Sequence, residues 1–279
     1  MRRRRKQWRC PLVVGIDGSE ASLEAVDWAA DEAARHEVPL RLLHAAAAGH
    51  DASDLVAAAS ERAAKSAPAV RLSSEVLSED AASALVGEGR DALALVLGSR
   101  GLGGLAGLLL GSVSLAVAAR ADCPVVVVRG GVEHRHGRFG CVVVGVEDGE
   151  GSGRAVDFAF REAHVRGCRL LAVHTWSVPV GNPGPPGLSG YALQALDRPP
   201  AQVLADALSG PEQRYPDVPV SSEVVEGPAR QALLNAASAA DLLVVGARRR
   251  HGRVGLQLGL VNHAVLHHAP CPIAVVPQI

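Results

Sequence analysis

Aromatic side chains are scarce in this chain: three Phe, two Tyr and three Trp make up 3% of 279 residues, with a single Met. The cores must therefore be built from Ala, Val and Leu. A composition that is 48% hydrophobic and rich in small aliphatic side chains suits strands buried on both faces of a parallel sheet. Five cysteines, Cys10, Cys123, Cys141, Cys168 and Cys271, form no close pair and are odd in number. That fits neither a disulfide framework nor a zinc ribbon, and buried small hydrophobes are their expected role. No Walker lysine motif, nucleophile elbow or pair of carboxylates at a catalytic position is present.

An excess of positive charge over the body is also missing. The net charge is -1, and Arg2, Arg3, Arg4, Arg5, Lys6 and Arg9 supply six cations, so the remainder carries -7. A mildly acidic body argues against a broad nucleic-acid surface. Residues 1–9 are expected to form a disordered, solvated basic tail, since nothing in them buries surface. The apolar run that follows is too short for a secretory h-region and runs into Asp17. Residues 101–119 are uncharged, but five glycines crowd their first 11 positions, which argues against a membrane span. The expected location is the cytoplasm.

What the chain does have is a repeat. Val14-Gly15-Ile16-Asp17-Gly18 and Ala25-Val26-Asp27-Trp28-Ala29 return as Val144-Gly145-Val146-Glu147-Asp148 and Ala155-Val156-Asp157-Phe158-Ala159, at a constant spacing of 130. From 98–129 against 246–277, at a spacing of 148, there are 15 identities in 32 positions. The change in spacing requires an insertion in the second copy, expected within residues 177–200, where Gly and Pro are dense. Two domains follow, 10–129 and 140–279, joined by a linker at 130–139.

Short apolar runs alternate with helical periodicity in both copies. The first copy predicts strands at 12–16, 40–45, 70–77, 92–97 and 125–128, with helices at 21–36, 51–66 and 81–87 and one ending near Arg120. The second repeats the order, with strands at 141–146, 169–175, 218–225, 241–245 and 273–276. Five strands with crossover helices imply a mostly parallel, right-handed, doubly wound α/β sheet.

The loop after strand four carries the strongest chemical signal: Gly98-Ser99-Arg100-Gly101, nine residues, then Gly111-Ser112. Glycines there let the backbone approach a ligand, and amides at the start of the next helix can bind phosphate oxygens. Strand one ends in Asp17-Gly18-Ser19, where a carboxylate could accept from ribose hydroxyls or help hold a metal near phosphates, while Ser19 is expected to cap the next helix. In a doubly wound sheet these two loops face each other where the winding reverses.

This glycine pattern, the early Val-Gly-Ile-Asp-Gly-Ser and the Cys-Pro-Val-Val-Val-Val of residues 123–128 resemble the universal stress protein family, over nearly the entire chain and twice. The resemblance implies two tandem Rossmann-like domains (adenine nucleotide alpha hydrolase-like), each a five-stranded sheet of order 3-2-1-4-5 with helices on both faces. It implies ATP as ligand, with Mg2+ as a possible companion. By position, Asp17 would meet the ribose, the backbone of Ala45 the adenine, and Leu97 and Gly98 the base and sugar. Gly101, Gly111, Ser112 and Val113 would contact phosphates. The implied role is a nucleotide-responsive stress or dormancy regulator that is not an enzyme; a slow ATPase and a nucleotide-free scaffold are the alternatives. In the family the last strands pair between domains, so an intramolecular pseudo-dimer is expected, with a homodimer and an unidentified protein partner also possible.

The second copy departs from the pattern where it matters: Arg249 stands for Gly101, Leu260 for Ser112 and Glu147 for Asp17. Arg248, Arg249, Arg250 and Arg253 could attract an anion by charge, but ordinary ATP binding is not expected there. His263 and His267, one helical turn apart with His268 beside them, lack an accompanying Cys or carboxylate and read as solvated. His134 and His136, in the linker, are expected to face water.

Overall fold

The computed structural model describes residues 10–46, 51–101, 110–149, 152–177, 198–248 and 258–278. The basic tail, most of the insertion at 177–200, the middle of the first glycine loop, and Arg249, Arg250 and Arg253 lie outside the described residues.

Five strands build the first half: β1 (Leu12–Ile16), β2 (Leu40–Ala45), β3 (Leu72–Leu77), β4 (Ala94–Gly98) and β5 (Val125–Val128). Their crossovers are α1 (Glu20–His36), α2 (Ser53–Ser66), α3 (Ala81–Glu88) and α4 (Ser112–Arg120). After a single turn, α5 (Val132–Arg135), the second half repeats the plan with β6 (Cys141–Val146), β7 (Arg169–Trp176), β8 (Val220–Glu226), β9 (Leu242–Arg248) and β10 (Ile273–Gln278). Its helices are α6 (Gly153–Arg166), α7 (Pro200–Arg214), α8 (Ala229–Ala237) and α9 (Leu260–His268). The inner Val- and Leu-rich runs became strands buried on both faces, and every residue of β4 and β5 is buried, while the outer strands β3 and β8 are mostly exposed. Among the described residues no helix is long and apolar enough to cross a membrane.

All ten strands form one sheet, ordered β3-β2-β1-β4-β5-β10-β9-β6-β7-β8. Each half has the expected 3-2-1-4-5 order and is parallel throughout. The halves meet where β5 pairs antiparallel with β10, with Val126 opposite Ala274. Two strands that would otherwise expose unpaired backbone at a sheet edge thus satisfy each other.

The connection between the halves is itself packed. Gly130 has φ +87, and a Cβ on it would lie 1.7 Å from the Pro270 carbonyl oxygen, so only glycine lets the chain cross there. His134 does not simply face water as expected: it is half-buried, its Nδ1 donates to the Ala240 carbonyl at 2.7 Å, and its ring stacks on Phe139. His136 is exposed, with Nδ1 4.0 Å from an Asp31 oxygen. Cys123, Cys141 and Cys271 are buried, Cys10 and Cys168 half-buried, and none of the five forms a disulfide. His263 is exposed and its ring stacks on that of half-buried His267.

A buried ionic cluster closes the seam between α1 and α6. Arg166 pairs with Glu32, and His36 Nε2 lies 3.3 Å from Glu162. Each position has its counterpart 130 residues away, Glu32 with Glu162 and His36 with Arg166, so the pseudo-twofold axis passes through the cluster. Burial alone would lower the His36 pKa, but the charge and hydrogen bond of Glu162 outweigh it and hold the imidazole above its ordinary value. Burial would likewise raise Glu162; His36, with Arg161 and Arg166, overrides that and holds its carboxyl down at about 2. Glu32, His36 and Glu162 bring ligand-type atoms within 4.8 Å of one another. With Arg166 inside the cluster, however, Glu32 and Glu162 already have a guanidinium and an imidazole as partners, and burial raises the Glu32 pKa despite the Arg166 charge.

Candidate functional site

β1 is flanked by β2 on one side and β4 on the other, so the chain winds outward in both directions from the β1–β4 cleft. That is the place where a doubly wound sheet leaves a crevice at its carboxyl ends. A cavity of about 330 Å³ opens there, within the size range of small-molecule sites.

All eight residues singled out from the sequence line this cavity. Asp17 follows the last residue of β1, Ala45 ends β2, and Leu97 and Gly98 end β4. Gly101, Gly111, Ser112 and Val113 come from the glycine loop and the start of α4. Leu43, Leu85 and Leu97 give one part of the wall an apolar character, while the α4 end is made of backbone and hydroxyl groups.

The α4 terminus is an open helix end. Gly111 is its N-cap and offers no side-chain oxygen, and the first bond closed is from Leu115 N to Gly111 O at 3.1 Å. The amides of Ser112, Val113 and Ser114 therefore have no intrahelical acceptor and add to the positive end of the helix dipole. The loop is pinned on both sides: Gly111 N donates to Ser99 O at 2.8 Å, and Ser114 Oγ donates to Gly98 O at 2.7 Å.

Asp17 is held rather than loose. Its Oδ1 accepts from Ser19 N at 3.0 Å and from Ser19 Oγ at 2.6 Å, and Ser19 Oγ also lies 3.3 Å from the Arg100 carbonyl oxygen. Ser19 caps α1 as expected, and it also joins the end of β1 to the glycine loop. A Cβ at Gly101 would lie 2.3 Å from Asp17 Oδ2, so glycine at 101 makes room for this carboxylate. The sequence reading missed His44, which is buried and donates from Nδ1 to the Ile16 carbonyl at 2.8 Å, fixing the strand just before Asp17. His174 does the same to Val146 at 2.9 Å. A His recurring at a spacing of 130 was the available signal.

The second half keeps the frame and changes the contents. Asn262 Nδ2 donates to Gly246 O at 3.0 Å, in the manner of Ser114 on Gly98. Leu260, at the Ser112 position, is 91% exposed. Glu147, at the Asp17 position, lies 3.3 Å from Arg248 Nε.

A sequence model described as the universal stress protein family matches residues 11–67, 47–129 and 139–277. The chain belongs to the universal stress protein family. It is 37% identical over 294 residues to a universal stress protein of Mycobacterium tuberculosis, covering 96% of this chain and 97% of that one. It is 33% identical over 286 residues to one of Mycolicibacterium smegmatis, covering 95% and 96%. Among solved structures it resembles a universal stress protein from Archaeoglobus fulgidus with a TM-score of 0.68 at 18% identity, over 96% of this chain and 98% of that chain. That last likeness concerns the fold alone. The chain is thus a universal stress protein of tandem length, with two Rossmann-like halves.

Proposed function

We propose that this universal stress protein binds ATP, once per chain, in the cavity of its first half, and acts as a nucleotide-responsive stress or dormancy regulator through binding and assembly. The observation that carries the reading is the convergence of Asp17, Ala45 and the glycine-loop residues on one cavity that ends at an uncapped helix N-terminus. Such an end suits phosphate oxygens. The apolar wall of Leu43, Leu85 and Leu97 suits a base. Asp17, fixed by Ser19, is an acceptor suited to ribose hydroxyls, and it is the one carboxylate among the described lining residues that could reach a phosphate-bound Mg2+.

Turnover is expected to be slow or absent. Efficient phosphoryl transfer needs a positioned nucleophile and charge stabilisation beyond a cradle of amides. Asp17 and Arg100 are the ionisable side chains among the described lining residues, and Asp17 is engaged by Ser19.

Nucleotide content of gently purified protein, followed by a phosphate-release time course, tests the proposal. Bound ATP released intact is the expected result. Protein that neither carries nor takes up nucleotide would be a scaffold. Turnover of about 1 per second or faster, the low end of ordinary enzymes, lost in Asp17→Ala, would make it an ATPase.

A further inference from the structure

The two halves carry the same arginine at the end of their fourth strand, Arg100 two residues past β4 and Arg248 the last residue of β9, at the spacing of 148 that aligns the loops. The structure uses them differently. Arg248 turns onto the end of β6: its Nη2 donates to the Asp148 carbonyl at 3.0 Å and its Nε lies 3.3 Å from Glu147. Arg100 lines the cavity of the first half, is exposed, and takes part in none of the ion pairs among the described residues.

Two aligned positions differ beside the arginine: Asp17 is replaced by Glu147 and Ser19 by Gly149. In the first half Ser19 occupies the Asp17 carboxylate with both its amide and its hydroxyl. At the corresponding position the second half has Gly149, with φ +88 and no side chain to offer, and the acid in place of Asp17 takes the arginine instead. Ser19 also holds the Arg100 backbone through its carbonyl, and the Gly111 Cα lies against the Arg100 Cα, since a Cβ there would be 3.6 Å away. The base of the Arg100 side chain is therefore fixed beside the α4 terminus, while its guanidinium enters no ion pair among the described residues.

Arg100 is the one cation among the described residues that line the cavity. The amide cradle supplies partial charges only, and a polyphosphate brings several full negative charges. A guanidinium fork matches phosphate oxygens in charge and geometry. We infer that Arg100 is the specificity-determining residue for phosphate number, selecting ATP and ADP over AMP and adenosine, and that Ser19 keeps it available by occupying Asp17. The inference rests on the proposed nucleotide site and names what distinguishes its ligands. In the second half the equivalent arginine is already spent on Glu147 and Asp148.

Calorimetric titration with adenosine, AMP, ADP and ATP tests this on the full-length wild type, Arg100→Gln, Arg100→Lys, Ser19→Gly and Arg248→Gln. In the wild type, affinity should rise with phosphate number. Arg100→Gln should weaken ATP roughly ten- to a hundredfold, the loss of a charge-assisted contact, while adenosine changes less than about twofold; Arg100→Lys should recover part of the loss. Ser19→Gly should compress the ATP-to-adenosine ratio as Arg100→Gln does, because Asp17 is then free to capture Arg100. Arg248→Gln should leave all four affinities as they are. Equal weakening of ATP and adenosine in Arg100→Gln, or no weakening of ATP, would overturn the inference while leaving the nucleotide site standing. A wild type that binds none of the four ligands would remove the site and the inference together.

Discussion

Substituting Arg166 by Met tests whether the halves are held by their buried ionic cluster. Arg166 is 6% exposed, its partners Glu32 and Glu162 are 2% and 4% exposed, and the guanidinium also lies 5.5 Å from the centre of the Trp28 ring. Met keeps much of the aliphatic stem, so the main loss is the charge. Glu32, whose pKa burial already raises, and Glu162 then share the interior with His36, with half-buried Arg35 and Arg161 at the edge of the cluster. Removing one partner from a buried ion pair costs about 3–5 kcal/mol, because the other is left uncompensated. At roughly 2–3 °C per kcal/mol for a chain of this size, Tm should fall by about 6–15 °C. Adding Glu32→Gln should recover part of the loss, with a coupling energy above about 1 kcal/mol in urea denaturation. A loss below about 1 kcal/mol for Arg166→Met, as exposed pairs give, would show that the seam rests on β5–β10 pairing and apolar packing instead.

Four further outcomes follow from named residues. His36 has a raised pKa and faces Glu32 and Arg35 on its own helix and Arg161, Glu162 and Arg166 on α6; its contribution is complete below the unfolded value of about 6.5 and is lost as pH rises through the folded value. Wild type should therefore lose more of its urea midpoint between pH 6 and pH 9 than His36→Gln does, and an equal or smaller loss would refute the assignment. Glu162, held at about 2, works in the opposite direction, so acid should erode stability from about pH 4 downward in wild type and less in Glu162→Gln. Asp17→Ala should weaken ATP by about 1.5–3 kcal/mol, or roughly ten- to a hundredfold, measured by calorimetry. Arg249→Gly with Leu260→Ser, which restores the glycine pattern, should create weak ATP binding in the second half, with Leu260 tolerant because it is exposed.

Much of the fold was legible because buried parallel strands are continuous aliphatic runs bounded by turns: β1, β2, β5 and β6 fall where the runs predict them. β4 begins two residues later than expected, since Ala92 follows a single 3-10 turn at Gly89–Asp91 and stays extended without pairing. The cavity lining was legible because a glycine spacing encodes a backbone path, and that path is local. The seam was not. Glu32, His36, Glu162 and Arg166 sit on helices where charged residues ordinarily face water, and their burial depends on β5 meeting β10 across the chain. The recurrence of Glu32 as Glu162 at a spacing of 130 was visible, but periodicity alone does not say which polar positions are buried. Arg100 and Arg248 make the same point at the site: identical residues at aligned positions have different surroundings, with Asp17 and Ser19 beside one and Glu147 and Gly149 beside the other.

The central claim, one ATP site per chain in the first half, is tested most directly by the stoichiometry of ATP binding to wild type and to Gly111→Val. Gly111 has an ordinary φ of -74, and a Cβ on it would meet its nearest neighbours at 3.6 and 3.7 Å, so the variant should fold. Its branched side chain would stand at the N-cap, over the amides that the phosphates require. One site in wild type and none in Gly111→Val are expected, with the circular dichroism spectrum and Tm close to wild type. Two sites in wild type, or one surviving at full affinity in the variant, would contradict it.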